Sequence, residues 1–391
     1  MDLLKQLTGK NPAEYENAAK NLVNEINIDL FKKLVEQDDF LFDFVKNNVS
    51  KRIQNACNKN NFLNLMKFLD FYSASYDTMI AEVLHQYGGL ELLPAMKEIF
   101  LTDNDAKKAY AAKFFTFVPN EYLEEILPQI RQASQSEFEP LSINSIEVLS
   151  KVNDSVSKNG AIEKLKSDDE FEQYNAVKFL VTFKAKDTLN EIINVMKKSS
   201  LAENIASEIP YLISLEELLK NNFEDCILVL CNIVNAIPEI IPPSYAVDYN
   251  LFEIFENIYY ENLTPSSALL LRMAKDKFGS LADNEEYLFD CDKNTKEEVF
   301  EINKFLSGIN EAKLDSLLYD ELYEESDFVF FALDYANDIE ELETLLDSKN
   351  QTLVLKVLTL LKEKQALSMA HKHTALESIT NPEIKRIIEV L

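Results

Sequence analysis

A short apolar pattern recurs along this chain at intervals close to 31 residues, and it constrains the fold more than any other feature. A small or aliphatic residue is followed by a spacer, a charged residue and then, usually, two apolar residues. It runs Ala18-Ala19-Lys20-Asn21-Leu22, Val49-Ser50-Lys51-Arg52-Ile53, Ile80-Ala81-Glu82-Val83-Leu84 and Ala111-Ala112-Lys113-Phe114-Phe115. Ser145-Ile146-Glu147-Val148-Leu149 and Ala176-Val177-Lys178-Phe179-Leu180 follow, with Ala206-Ser207-Glu208-Ile209-Pro210 as a weaker copy. Counted on the charged position, the steps are 31, 31, 31, 34, 31 and 30. Later copies are Ile302-Asn303-Lys304-Phe305-Leu306, Val354-Leu355-Lys356-Val357-Leu358 and Ile387-Ile388-Glu389-Val390-Leu391. Between 209 and 301 the phase blurs, and Pro238, Pro242, Pro243 and Pro265 interrupt it.

First slot to last two is i, i+3, i+4, the stripe that one helix face turns to a core. The charged residue between them faces outward. A second apolar stripe follows each copy, as in Ile126-Ile130 or Leu189-Ile192-Ile193-Met196. Two stripes per period describe a pair of antiparallel helices, and neither can bury its face alone, so successive pairs must stack. Thr102-Asp103-Asn104-Asp105 precedes the helix carrying Ala111 and Ser167-Asp168-Asp169 that carrying Ala176, while Asn381-Pro382 offers a cap and a first-turn proline. The chain has only six glycines and no Trp, against ordinary glycine usage of about 7%. Hairpin turns and phosphate-binding glycine loops both depend on glycine. The expected fold is therefore all-α, with tandem helical hairpins stacked into an α-solenoid or superhelix. The expected blocks are 1–236, a proline-containing loop or break at 237–249, and a less regular acidic block at 250–391.

A helical hairpin of about this length, opened by an Asp/Asn turn and carrying a small residue before an apolar pair, resembles the HEAT repeat. The short HEAT-like form of phycobilisome-lyase-type proteins is the most similar variety, and the resemblance covers nearly the whole chain. It implies architecture and no single function, because such repeats serve unrelated purposes. HEAT-like DNA glycosylases use a basic groove, and di-iron hydroxylases of this architecture carry His-Glu pairs. This chain has neither, since Gln86, Lys372 and Thr374 follow its three histidines, His85, His371 and His373.

The net charge of −28 is unevenly spread. Residues 1–200 carry 30 acids and 24 bases, 201–347 carry 33 acids and 8 bases, and 348–391 carry 4 acids and 7 bases. Phosphate backbones are bound by Lys and Arg, so nucleic acid is not an expected partner. The acids also serve solubility. The sharper expectation is a non-catalytic interaction scaffold or adaptor that binds a protein or peptide, a basic one, on an acidic surface. Asp320, Glu321, Glu324, Glu325 and Asp327 are the candidate partner-binding residues, with Tyr259, Tyr260, Tyr319, Tyr323, Phe328, Phe330 and Phe331 interleaved among the acids. The alternative is a cofactor- or enzyme-associated subunit, which the resemblance to HEAT-like bilin lyase subunits implies.

One local motif remains. Asp290, Asp292, Asn294, Glu298 and Glu301 match positions 1, 3, 5, 9 and 12 of a calcium loop, although Thr295 stands where such loops have Gly. The same residues read as a helix N-terminus, with Thr295 and Glu298 as a capping box. No nucleotide-binding glycine loop, H-E-x-x-H or G-x-S-x-G occurs, and no catalytic residue or cofactor is assigned. Cys57, Cys226, Cys231 and Cys291 lack C-x-x-C spacing and read as reduced thiols. The most apolar run, 226–237, is too short to span a membrane, and a cytoplasmic protein is expected.

Overall fold

A computed structural model of the chain describes residues 3–37, 41, 43–284, 288, 291–323, 326–336 and 338–391; the side chains of 43, 44 and 319–323 fall outside that description. Among the described residues the chain is helical, with short 3-10 turns and no β-strand, so the protein is all-α. Contacts divide it into two compact units, Met1–Leu189 and Asn190–Leu391.

In the first unit the helices that carry the recurring pattern lie beside one another. Asp77–Gly88 packs on Asp105–Phe115, which packs on Glu139–Lys151, which in turn meets Glu170–Thr182. The pattern positions explain why. Ile80, Val83 and Leu84, then Ala111, Phe114 and Phe115, then Ser145, Val148 and Leu149 are all buried. Where the first slot is small, as at Ala111 and Ser145, neighbouring backbones can approach, and the apolar pair fills the space between them. Each buried pair of large side chains contributes on the order of 3–6 kcal/mol before entropy is subtracted. The second stripe behaves likewise: Met96 and Phe100 are buried on Leu93–Thr102, which packs on Asp105–Phe115.

The charged slot does more than face solvent. Lys113 and Glu147 hold that slot in successive copies and form an ion pair of 2.7 Å between neighbouring helices. Helix starts follow the capping logic. Asn104 accepts from the Lys107 N–H, Asp169 from those of Phe171 and Glu172, and Asn381 from those of Glu383 and Ile384. Each cap satisfies donors that a helix leaves open at its first turn.

Two polar contacts tie the hairpins together inside this packing. Asp77 is buried without a cation beside it among the described residues. Its carboxylate accepts from the Tyr72 hydroxyl at 2.7 Å, the Thr78 hydroxyl at 3.0 Å and the Asn144 amide at 3.2 Å. Asn144, only 2% exposed, also donates to the Ala109 carbonyl at 3.0 Å. One amide thus links three consecutive pattern helices. Farther along, Arg131 makes a two-point contact with Asp154, at 2.6 and 3.0 Å, while Asp154 also caps Ser155–Lys164. The guanidinium holds the Asp154 carboxyl at about 2, against the opposing effect of burial and with help from the Ser157 hydroxyl and N–H.

In the second unit the same side-by-side arrangement runs from Ala202–Leu212 to Phe223–Ala236 and then to Pro265–Asp283. Pro265–Asp283 meets both Lys293–Ser307 and Glu311–Tyr323. Here the blurred phase acquires a physical cause. Residues 226–234 are buried in an unbroken run, as are 266–271. A helix covered on every side has no polar face, so it shows no 3.6-residue alternation. Pro265 starts a helix at its first position, behind the capping pair Thr264 and Ser267, and interrupts nothing. Pro238, Pro242 and Pro243 lie in a loop within this unit, followed by the single turn Tyr245–Asp248. The last copy of the pattern is out of phase with the burial. Ile388 is buried while Ile387 and Val390 are exposed, so Pro382–Val390 turns the Ile384-Ile388-Leu391 face inward.

Replacing Asn144 with Leu leaves the Asp77 carboxylate one donor short and is expected to cost about 2 kcal/mol, read as a lower urea midpoint by circular dichroism. The exposed substitution Phe171→Ala should leave that midpoint in place. Arg131→Met tests the second contact. Because the Asp154 pKa is depressed, its stabilisation is full above the ordinary value of 3.8 and fades as the pH falls towards about 2. The variant should therefore be less stable by about 1–2 kcal/mol at neutral pH, and the gap should close in acid.

Candidate functional site

The acidic segment that the sequence singles out is only partly placed. Asp320 and Glu321 belong to the helix Glu311–Tyr323, but their side chains, with Glu324 and Glu325, lie outside the described residues. Asp327 is described, and it is already engaged: its carboxylate lies 2.6 Å from the Lys197 ammonium, which also contacts Asp225 at 3.4 Å. Asp338 caps Ile339–Thr344, and Glu343 reaches His371 at 3.0 Å.

Of the calcium-loop residues, Asp290 lies outside the described residues. Asp292 is the N-cap of Lys293–Ser307, accepting from the Thr295 N–H at 2.9 Å and its hydroxyl at 3.1 Å. The cap therefore sits three residues before the Thr295 position that the sequence suggested. Asn294, Glu298 and Glu301 follow on the helix itself. Among the described residues no group of three or more His, Cys, Asp or Glu side chains is placed to hold a metal ion.

A denser arrangement arises where Leu251–Glu261 packs beside Lys293–Ser307. Four carboxylates, Glu253, Glu256, Glu298 and Glu301, sit on these two helices, and among the described residues none forms an ion pair. Glu298 accepts from the Phe252 N–H, while its Oε1 is buried without a hydrogen-bond partner among the described residues. Burial raises its pKa above the ordinary carboxylate range, and the negative charges of Glu301 and Glu253 raise it further, against the lowering effect of the Phe252 N–H. Against these acids stands a ring cluster. Phe305 lies edge-on to Phe252 at 5.8 Å and to Tyr259 at 6.1 Å, with Tyr260 at 6.2 Å. Tyr260 is 70% exposed. The Lys313 ammonium sits 4.9 Å from the centre of the Tyr259 ring. Tyr259 and Tyr260 stood out in the sequence as rings among acids. Glu253, Glu256 and Phe305 did not, because the pairing of two separate helices brings them together.

A cavity of about 390 Å³ opens elsewhere in this unit, with Val234, Met273 and Leu281 as apolar lining and Glu239, Asp276 and Asp334 as acids. Glu239 pairs with Lys277 at 3.2 Å, Asp334 pairs with Lys356 at 3.2 Å, and Asp276 accepts from the Tyr335 hydroxyl.

His85 is wedged between Phe114 and Phe117, and burial followed by the charge of Lys151 lowers its pKa. His373 meets Glu377 one turn along its own helix. None of the four cysteines is in a disulfide, and burial pushes the Cys57 thiol up to about 12. Among the described residues no helix is long and apolar enough to cross a membrane.

No protein-family profile matches the sequence, and no curated protein does either. Among solved structures, an engineered protein determined by the Northeast Structural Genomics Consortium aligns over 96% of this chain and 97% of its own. The identity is 13% and the TM-score 0.24, a likeness too low to support an argument about fold or function.

The capping role of Asp292 is testable directly. Asp292→Ala should lower stability by about 1 kcal/mol, and thermal melts should show the same loss in calcium and in chelator. A loss that appears only with calcium would show that Asp292 acts as a metal ligand instead.

Proposed function

We propose that the protein is a non-catalytic interaction scaffold whose HEAT-like helical hairpins, stacked as a solenoid within each unit, present an acidic surface to a basic protein or peptide. The stacking follows from the packing of one pattern helix on the next and from ion pairs such as Lys113–Glu147 between successive copies. One observation carries the functional reading: residues 201–347 hold 33 acids against 8 bases, and the protein's own cations do not neutralise them. Among the described residues Glu253, Glu256, Glu298 and Glu301 form no ion pair, Glu253 accepting only from the neutral Asn250 amide at 2.7 Å, and a basic partner would relieve the self-repulsion of these acids.

The test is binding of short basic, neutral and acidic peptides to the intact protein at low and high salt. The basic peptide alone should bind, and its affinity should fall as salt screens the acids. Neutralising Glu253, Glu256 and Glu301 as glutamines should weaken it about tenfold while leaving the fold intact or stabilising it. Equal binding of all three peptides, or no binding of any, would overturn the reading.

A further inference from the structure

We infer that the face made by Leu251–Glu261 and Lys293–Ser307 grips arginine side chains in particular, so that the partner of the proposed scaffold docks there through an arginine-bearing segment. The inference rests on the acidic-surface reading above and narrows it to one face and one side-chain chemistry.

The geometry supplies what a guanidinium needs and an ammonium uses less fully. Arginine is planar, stacks on aromatic faces and offers a fork of donors that matches a carboxylate at two points. Lysine presents a compact, strongly hydrated charge. On Leu251–Glu261, Glu253, Glu256 and Tyr260 fall at i, i+3 and i+7, along one stripe of the helix. On Lys293–Ser307, Glu301 lies one turn before Phe305, the ring against which Tyr260 rests at 6.2 Å. Carboxylates thus flank an exposed aromatic surface from both helices. Lys313 over Tyr259 shows that this ring cluster already accommodates a cation. Among the described residues no cation lies over the neighbouring Tyr260 ring.

Other occupants fit less well. A nucleic acid would bring its phosphates to four acidic side chains that, among the described residues, no cation pairs. A metal ion would need converging oxygens, and no such group is assembled among the described residues. A second copy of this chain would present mainly acids, given its net charge of −28.

The experiment compares two fluorescently labelled peptides of identical sequence, one carrying arginines and the other lysines at the same places, in anisotropy titrations against the full chain. Wild-type protein should bind the arginine peptide about fivefold or more tightly. Tyr260→Ala should abolish that preference, and Tyr260→Phe, which keeps the ring, should retain it. The triple variant E253Q/E256Q/E301Q should lose about tenfold in affinity, whereas E216Q/E217Q on a different helix should stay close to wild type. Circular dichroism checks that each variant is folded. Equal binding of the two peptides, tighter binding of lysine, or an undiminished preference in Tyr260→Ala would overturn this inference and leave the acidic scaffold standing. If neither peptide binds wild-type protein, both readings fall together.

Discussion

The interlock between neighbouring pattern helices is the constraint on which everything else in the molecule depends. A small or aliphatic side chain at the first slot lies against the neighbouring helix, and the apolar pair a turn later fills the gap. In the first unit this contact repeats from Asp77–Gly88 through Asp105–Phe115 to Glu139–Lys151. Ala111 and Ser145, buried at these junctions, leave room that a larger residue would close. Once the helices are so aligned, the positions of caps, ion pairs and rings follow. Asn144 can bridge Asp77 and the Ala109 carbonyl only because three helices stand side by side.

The two units share this packing yet differ in how they manage charge. In the first, bases are plentiful and pair across neighbouring elements. Lys113 meets Glu147, Lys158 meets Asp187, Lys178 meets Glu139 and Lys107 meets Asp70. Exposed pairs of this kind contribute little individually. The second unit has acids at comparable surface positions and too few bases to answer them. Lys197 already serves two carboxylates, and Glu311 draws both Arg272 and Lys275. A common helical packing therefore presents chemically unlike surfaces in the two units, and the difference lies in the outward positions alone.

Local features were the most readable in the sequence. Asn104, Asp169 and Asn381 cap helices as their residue types imply, because a cap is decided by side chains within four residues of the backbone groups it satisfies. The stripes in the first 180 residues are buried as their spacing implies. Between 209 and 301 the same reasoning lost its signal. Phe223–Ala236 is covered on nearly all sides, and an all-round apolar helix carries no phase to read. The final copy shows the opposite difficulty. Ile387, Ile388 and Val390 match the pattern, but only packing could decide that Ile388 turns inward and the other two do not.

The sequence by itself determined the helical class, the spacing of the pattern in the first 180 residues, most of the helix starts and the location of the acidic excess. All of these depend on neighbours within a turn or two, or on composition. The tertiary structure alone decided which acids are spent and which are not. Asp327 looked available and is held by Lys197, while Glu253, unremarkable where it stands in the chain, meets Glu298, which the sequence marked only as a calcium-loop and capping-box position, across two helices beside Phe305. Pairing of charges is a property of distance in space, and residues 45 positions apart carry no mark in sequence that they will become neighbours.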